Sequence, residues 1–430
     1  MATTQTLPTI FRAVDDGTLI ELLYDPATRE TALAVRRPDG PATVEAHVDL
    51  PTGERLAPYA ADNNLIASGC VLLPSAIGDF TSKAALLADV RSFLHRYVDL
   101  PETFEAIAAH YILLSWVYDA FSDLPYLRLR GDYGTGKTRA LLTIGSLCNK
   151  PFFASGASTV SPIFHIQDAF QGTLILDEAD FRFSDASAQL TKVLNNGTTR
   201  GMPVLRTMAN RNRELNPQAF TVFGPKIIAM REHFSDLALE SRFLTHETSG
   251  RSLRADVPAH LPDVFNVQAR ELRNKLLAWR FRSRFSVGPD PSRMLDGVAP
   301  RYRQSSLAIL SLVDDADLRE RIGRELAGEE ARVLQERADT LEAAMLRAIV
   351  ETFETATTPH AAISDITEHF NALAADELGR RMTNKWVGGF IRRKLRLATM
   401  KTGGVYVLSH TQRKRSEELA TRFGLPRPSA

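Results

Sequence analysis

The chain has 430 residues, 44% of them apolar and 24% charged, with 52 Lys and Arg against 51 Asp and Glu. That length exceeds one ordinary core and leads to an expectation of two to four domains with the composition of a soluble globular protein. A formal net charge of +1 excludes a uniformly basic protein but leaves local patches open.

Cys70 and Cys148 supply neither a disulfide framework nor a zinc pattern, which suits a reducing, cytoplasmic location. The richest apolar run, Ala106 to Phe121, is interrupted by His110 and Asp119 and falls short of a membrane span. Residues 1–78 read as short strands with turn signals, a small β-rich N-terminal domain. Lys83 to Tyr97 and Glu102 to Phe121 carry apolar residues at helical spacing and make 79–125 a helical connector. A strand, Leu127 to Arg130, then runs into a glycine-rich loop. Loop, helix, buried strand (Thr173 to Leu176), helix and a further strand (Lys226 to Met230) follow, and that alternation defines an α/β core over 126–245. Residues 246–335 read as a helical lid. Beyond them come three short helices and a β-ribbon (336–410), then a basic tail (411–430).

Gly131-Asp132-Tyr133-Gly134-Thr135-Gly136-Lys137-Thr138 has the pattern of a P-loop, placed after a strand and before a helix. Its glycines let backbone N–H groups wrap phosphate at a helix N-terminus. Lys137 is the expected partner of the β/γ-phosphates of ATP, and the Thr138 hydroxyl the expected Mg²⁺ ligand. Thr173-Leu174-Ile175-Leu176 delivers Asp177 and Glu178 to the C-terminal end of a strand, where α/β folds bind ligands. Asp177 is then the second group toward Mg²⁺, and Glu178 the general base for the attacking water.

Only 177 − 137 = 40 residues separate Lys137 from Asp177, and a second RecA-like domain is missing. This argues against a DEAD-box enzyme despite Asp177-Glu178-Ala179-Asp180, and the short spacing resembles AAA+ ATPases. Ala238-Leu239-Glu240-Ser241-Arg242-Phe243 looks like the Ser-Arg-Phe element of minichromosome-maintenance-type AAA+ helicases. The resemblance implies that Arg242 is an arginine finger for a neighbouring subunit's ATP. It also implies a sensor-2 arginine at Arg301, with Arg303 nearly equivalent, and puts Arg231 at the sensor-1 position without the usual asparagine. The segments Val193-Leu194-Asn195-Asn196-Gly197 and Phe223-Gly224-Pro225 are similar to ATPases of bacterial mobile elements. In these helicases a hairpin inserted before the sensor strand grips nucleic acid, which makes Arg206, Arg211 and Arg213 candidate phosphate contacts.

The C-terminal order of helix, helix, helix and β-wing is that of a winged helix-turn-helix. From Gly379 onward, 13 Lys and Arg stand against Glu417 and Glu418, the footprint of a nucleic-acid contact. Asn384, Lys385 and Arg392 are expected to face DNA from the third helix, and Lys401 from the wing. Trp386, Val387, Phe390 and Ile391 are expected to pack that helix down. The expectation is thus an ATP- and Mg²⁺-dependent DNA motor acting on single-stranded or forked DNA. It would form a homo-oligomeric, hexameric ring with no membrane association. A DNA-binding ATP switch and a protein-remodelling ATPase are the alternatives.

Overall fold

A computed structural model describes residues 6–177, 185–209, 215–234, 236–248, 254–376 and 378–426. The chain divides into two units, Met1–Leu326 and Ala327–Ala430. In the first, β1 (Thr6–Thr9), β2 (Phe11–Ala13), β3 (Leu19–Asp25), β4 (Glu30–Arg36), β5 (Thr43–Glu45), β6 (Val48–Asp49) and β7 (Arg55–Pro58) form two small sheets. Their orders are β2-β3-β4-β5 and β1-β7-β6. The middle of β3 is buried throughout, including Glu21, whose carboxylate accepts from Lys150 Nζ (2.7 Å) and Arg280 Nε (2.5 Å). Arg280 also reaches Asp119. Glu21 thus ties the β-rich segment to charges far along the chain within the first unit.

After α1 (Asn64–Ala67), α2 (Lys83–Tyr97) and α3 (Glu102–Val117) coincide closely with their sequence expectation. Helix α3 is buried on all sides from Phe104 to Val117. Such an all-round apolar helix belongs in an interior, and it packs against α2 and two helices described below.

The core follows as β8 (Tyr126–Arg130), α4 (Lys137–Gly145), β9 (Phe152–Ser155), α5 (Val160–Phe170), β10 (Leu174–Asp177), α6 (Asp185–Asn196), the ribbon β11 (Val204–Ala209) and β12 (Leu215–Phe220), β13 (Lys226–Met230), α7 (Leu237–Glu240) and β14 (Phe243–Glu247). Among the described residues, β14-β8-β13-β10-β9 is one parallel sheet. Its central strands β8 and β13 are buried along their whole length, as sheets covered on both faces require. In chain order of these five strands the arrangement is 5-1-4-3-2. Strand β13 therefore stands between the strand that feeds the glycine loop and the strand that ends in Asp177, and the reversal opens a crevice at their C-terminal ends.

Helices α8 (Val264–Ser283) and α9 (Pro300–Leu310) pack on α3. Helix α10 (Ala316–Ala338) contains the division between the units and runs past the boundary expected at 335. The second unit holds α11 (Leu341–Thr355), β15 (Ala361–Ala362), α12 (Ile363–Ala374), α13 (Asn384–Arg393), β16 (Thr399–Thr402), β17 (Val405–Leu408) and α14 (Arg413–Arg422). Thr383 caps α13 by accepting from Trp386 N. Gly403 and Gly404, both at positive φ, make the two-residue turn between β16 and β17. The segment read as a basic tail is largely helix: Ser416 and Ala420 of α14 are buried, and Ala420 and Leu425 join the apolar core of this unit. Its charges stand on one face while small residues pack the other. Among the described residues, no helix is long and apolar enough to cross a membrane.

Candidate nucleotide site and nucleic-acid surfaces

The glycine loop turns at Gly131, Gly134 and Gly136, each with positive φ. At Gly131 a Cβ would lie 2.3 Å from Thr248 Oγ1, so only glycine fits. Thr248, just past β14, braces the loop: its N–H donates to Arg130 O (2.6 Å) and its hydroxyl shares a bond with Thr135 Oγ1 (2.7 Å). Lys137 Nζ donates to Gly131 O (2.7 Å) and Asp132 O (2.6 Å), curling over the cradle at the start of α4. The Thr138 hydroxyl donates to Asp177 Oδ2 at 2.8 Å. The two oxygens expected to serve Mg²⁺ thus meet, although 39 residues separate them. A hydroxyl and a carboxylate side by side, facing a lysine and a glycine loop, form a hard oxygen donor set that fits Mg²⁺ with a polyphosphate. Glu178, the expected base, lies outside the described residues.

A cavity of about 370 Å³ runs along Tyr133 to Thr138, Asp177 and Ala229 to Arg231. Arg231, at the end of β13, enters this site opposite Tyr133, with its guanidinium 5.9 Å from the ring centroid. Tyr133 itself is 86% exposed. A second cavity of about 250 Å³ adjoins Thr135, Gly136 and Ala140 and is walled by Val98 to Pro101 and Val257 to Ala259. Arg139 fixes that wall by donating to Pro258 O (3.1 Å) and Ala259 O (2.6 Å). No motif marks these walls, since they are made of backbone and small apolar residues. Thr248 and Arg139 were equally silent in the sequence, each being an ordinary residue whose role depends on a distant neighbour.

Arg242 stands at the other end of the sheet. Its carbonyl accepts from Tyr126 N, and Phe243 pairs with Tyr126 at the start of β8. The five residues of β8 place that level on the order of 15 Å from Gly131. The guanidinium donates to Thr198 Oγ1 (2.5 Å) and to Asn195 O. Burial lowers its proton affinity, and the neighbouring positive charge of Arg301 adds to the effect. Arg301, exposed at the start of α9, therefore belongs to the Arg242 end and does not line the phosphate cavity of its own chain. Arg303 bonds Met294 Sδ and pairs with Asp296. Neither residue lines the phosphate cavity of the same chain.

The motif similar to mobile-element ATPases closes on itself here. Gly197 has no room for a Cβ, which would lie 2.5 Å from both Lys226 Nζ and Val222 O. Gly224 N donates to Gly197 O, and Lys226 Nζ donates to Val222 O (2.8 Å) and Gly224 O (2.9 Å). Between the two ends runs a buried ionic chain. Arg128, in the middle of β8, donates to Glu240 Oε1 at 2.7 Å with both side chains almost fully buried. Glu240 Oε2 meets His233 Nδ1 at 2.9 Å, and His233 contacts Arg130, which pairs with Glu247 (2.7 Å). Burial works to raise the Glu240 carboxyl, but the bonds to His233 and Arg128 outweigh it and hold the group ionised.

Of the residues expected to touch nucleic acid, Arg206 lies on β11 with its guanidinium 5.3 Å from the Phe164 ring centroid and 3.3 Å from Gln189 Oε1. It packs back onto α5 and α6 instead of standing free. Arg211 and Arg213 lie outside the described residues. In the second unit Asn384, Lys385, Arg392 and Lys401 are all exposed, while Val387, Phe390 and Ile391 are buried and Trp386 stacks between Phe370 and Phe390.

These features define a mixed α/β protein with a glycine-rich loop at the C-terminal edge of a parallel sheet. No protein-family model and no curated protein matches the chain. Among solved structures, the NrS-1 C-terminal region is similar at 12% identity, covering 91% of this chain and 96% of that one with a TM-score of 0.39. A full-length MCM homolog from Methanopyrus kandleri is 12% identical over 70% of this chain and 68% of that one, with a TM-score of 0.36. The JCV helicase is 14% identical over 61% and 64%, with a TM-score of 0.24. These are remote likenesses.

Proposed function

We propose that the protein is an AAA+-type ATPase that works on DNA as a homo-oligomeric ring, a helicase or translocase. The observation that carries this reading is the Thr138–Asp177 hydrogen bond across the mouth of a P-loop whose lysine is in place. Lys137 and the loop amides would hold the β- and γ-phosphates, and Thr138 and Asp177 would hold Mg²⁺. That ion would neutralise charge developing on the γ-phosphoryl group. Adenine and ribose would occupy the cavity walled by Val98 to Pro101 and Pro258. Glu178 would polarise the attacking water, with Arg231 as an additional contact on the γ-phosphate side.

Arg242 supports the oligomer. On the order of 15 Å from its own loop, it would act on the ATP of an adjacent copy, with Arg301 beside it. Such head-to-tail contacts close into rings, and a hexamer is the size proposed. The 5-1-4-3-2 strand order supports an AAA+ core, and the basic stretch from Gly379 onward supports a winged-helix contact to DNA. Strand displacement on a forked DNA tests the motor, with Glu178→Gln as control. The motor predicts ATP-dependent unwinding that the variant abolishes. DNA-stimulated hydrolysis with no unwinding overturns the motor in favour of an ATP-timed DNA switch.

A further inference from the structure

In the second unit a cleft of about 690 Å³ opens between α13 and the β16–β17 hairpin. One wall is α13, where Asn384, Gly388 and Arg392 succeed one another at four-residue spacing with Lys385 beside them; the three polar side chains are exposed and Gly388 is buried. The opposite wall is Thr399 and Tyr406. Arg392 Nη1 donates to Thr399 Oγ1 at 2.9 Å and ties the two walls at one end. Lys401 and Tyr406 are a cross-strand pair, with the ammonium 6.0 Å from the ring centroid. Tyr406 is 56% exposed, and its neighbours on the hairpin, Met400 and Val405, are exposed as well.

Two of these features are not explained by the unit's own packing. The first is an exposed aromatic ring and two exposed apolar side chains on a hairpin that also carries Lys401. The second is Gly388. Glycine weakens a helix interior relative to alanine, and here a Cβ would meet nothing closer than 3.5 Å (Arg392 Nη1) and 3.7 Å (Ile363 Cγ2), which are ordinary contacts. The fold therefore accepts a Cβ at 388, yet the floor of the cleft carries no side chain there, although Gly388 itself is buried.

A bare floor, an aromatic wall and a rim of Lys385, Arg392 and Lys401 match one chemistry: a planar, uncharged base attached to an anionic backbone. Within a duplex the bases are stacked on one another, so an interior base cannot lay its face on Tyr406, whereas an unpaired nucleotide can. We infer that this cleft binds an unpaired base of a single-stranded segment, stacked on Tyr406 over Gly388, with its flanking phosphates on Lys385, Arg392 and Lys401. The second unit would thus recognise the boundary between duplex and single strand. This rests on the reading of the unit as a nucleic-acid contact and names what it contacts.

The test uses the full-length chain with hairpin duplexes that are blunt or carry a short 5′ or 3′ single-stranded overhang. A 2-aminopurine is placed in the first unpaired positions, and the readouts are its fluorescence and the anisotropy of an end label. Stacking on Tyr406 predicts tighter binding of an overhang substrate than of the blunt one, and a changed 2-aminopurine signal. Tyr406→Ala would remove that signal and weaken overhang binding about 5- to 100-fold, with blunt binding unchanged. Tyr406→Phe would retain the signal. Gly388→Ala, which the helix accommodates, would reduce it by filling the floor. An unaltered signal in both Tyr406→Ala and Gly388→Ala overturns the inference. If Lys385→Ala with Lys401→Ala still weakens blunt binding in that case, the unit remains a duplex contact. If neither substrate responds to those charge changes, the nucleic-acid reading of the unit falls too, and a protein partner takes its place.

Discussion

The two ends of the central sheet are built in opposite ways. At the C-terminal end the reactive groups sit on a loop of glycines, bonded to one another and to the loop's own carbonyls, around an open cavity. At the N-terminal end Arg242 is held by the backbone of the α6 terminus over a buried lysine, with no room for a methyl group at Gly197. A phosphate site must yield its internal bonds to a ligand, so it is made of weak, exchangeable contacts. A group that serves another molecule must be presented at a fixed place, so it is made of contacts that do not exchange. The length of β8 keeps the two apart, as the proposed arrangement of two half-sites in one chain requires.

The largest effect expected from breaking this arrangement is on hydrolysis. Lys137→Ala removes the phosphate half and Arg242→Ala the arginine half. Each should lower the ATPase rate by about 10³-fold or more, the range measured for arginine fingers. If the halves belong to different subunits, mixing the two inactive variants creates interfaces with one intact Lys137 and one intact Arg242, and part of the rate returns. Steady-state phosphate release from the mixture measures this. A mixture as inactive as its parts would mean that the halves do not meet.

The next effect is on stability. Glu240 bridges Arg128 in β8 and His233 beyond β13, and so ties the arginine element to both strands that frame the phosphate cavity. Glu240→Gln leaves Arg128 buried without its countercharge, a loss of about 3–5 kcal/mol. A fall in Tm of roughly 5–10 °C follows for a unit of this size. An unchanged Tm would show that the ionic chain does not hold the two ends together.

Legibility differed between the ends for a physical reason. The phosphate loop was readable because the backbone must approach an anion closely, which forces glycines into a fixed spacing with Lys137 and Thr138. The strands β8 and β13 were readable as apolar runs. Strand β9, helix α5 and strand β14 were not singled out, because Phe152–Ser155 and Phe243–Glu247 mix polar with apolar residues and acquire strand structure by pairing with β10 and β8. Arg242 was found through its Ser-Arg-Phe neighbours. The sequence placed Arg301 only by its position in a helical segment, since position along a chain does not reveal which end of a sheet a helix faces. Arg128, buried inside a strand, would be taken for an exposed residue on composition alone. Its partners Glu240 and Thr245, 112 and 117 residues on, explain it.

Lys226 gives the smallest effect and the sharpest reading of the arginine end. It begins β13, fully buried, with its ammonium donating to Val222 O and Gly224 O over the Tyr126 ring. Burial pushes its pKa down to about 7. An unfolded chain keeps this lysine protonated to about pH 10.4. Between about pH 7 and 10.4 the unfolded chain therefore binds more protons than the folded one, and the lysine's contribution to stability becomes more favourable as pH rises. Below pH 7 it is protonated in both states, and the folded protein bears the full cost of a buried charge. Lys226→Met removes the titrating group and leaves two carbonyls without their donor. The stability of the variant relative to wild type should be highest at pH 6 and decline by on the order of 2–3 kcal/mol by pH 9, as Tm measured across that range would record. A difference independent of pH would mean that Lys226 keeps its proton throughout. The rigid end of the sheet would then be organised by a permanent charge.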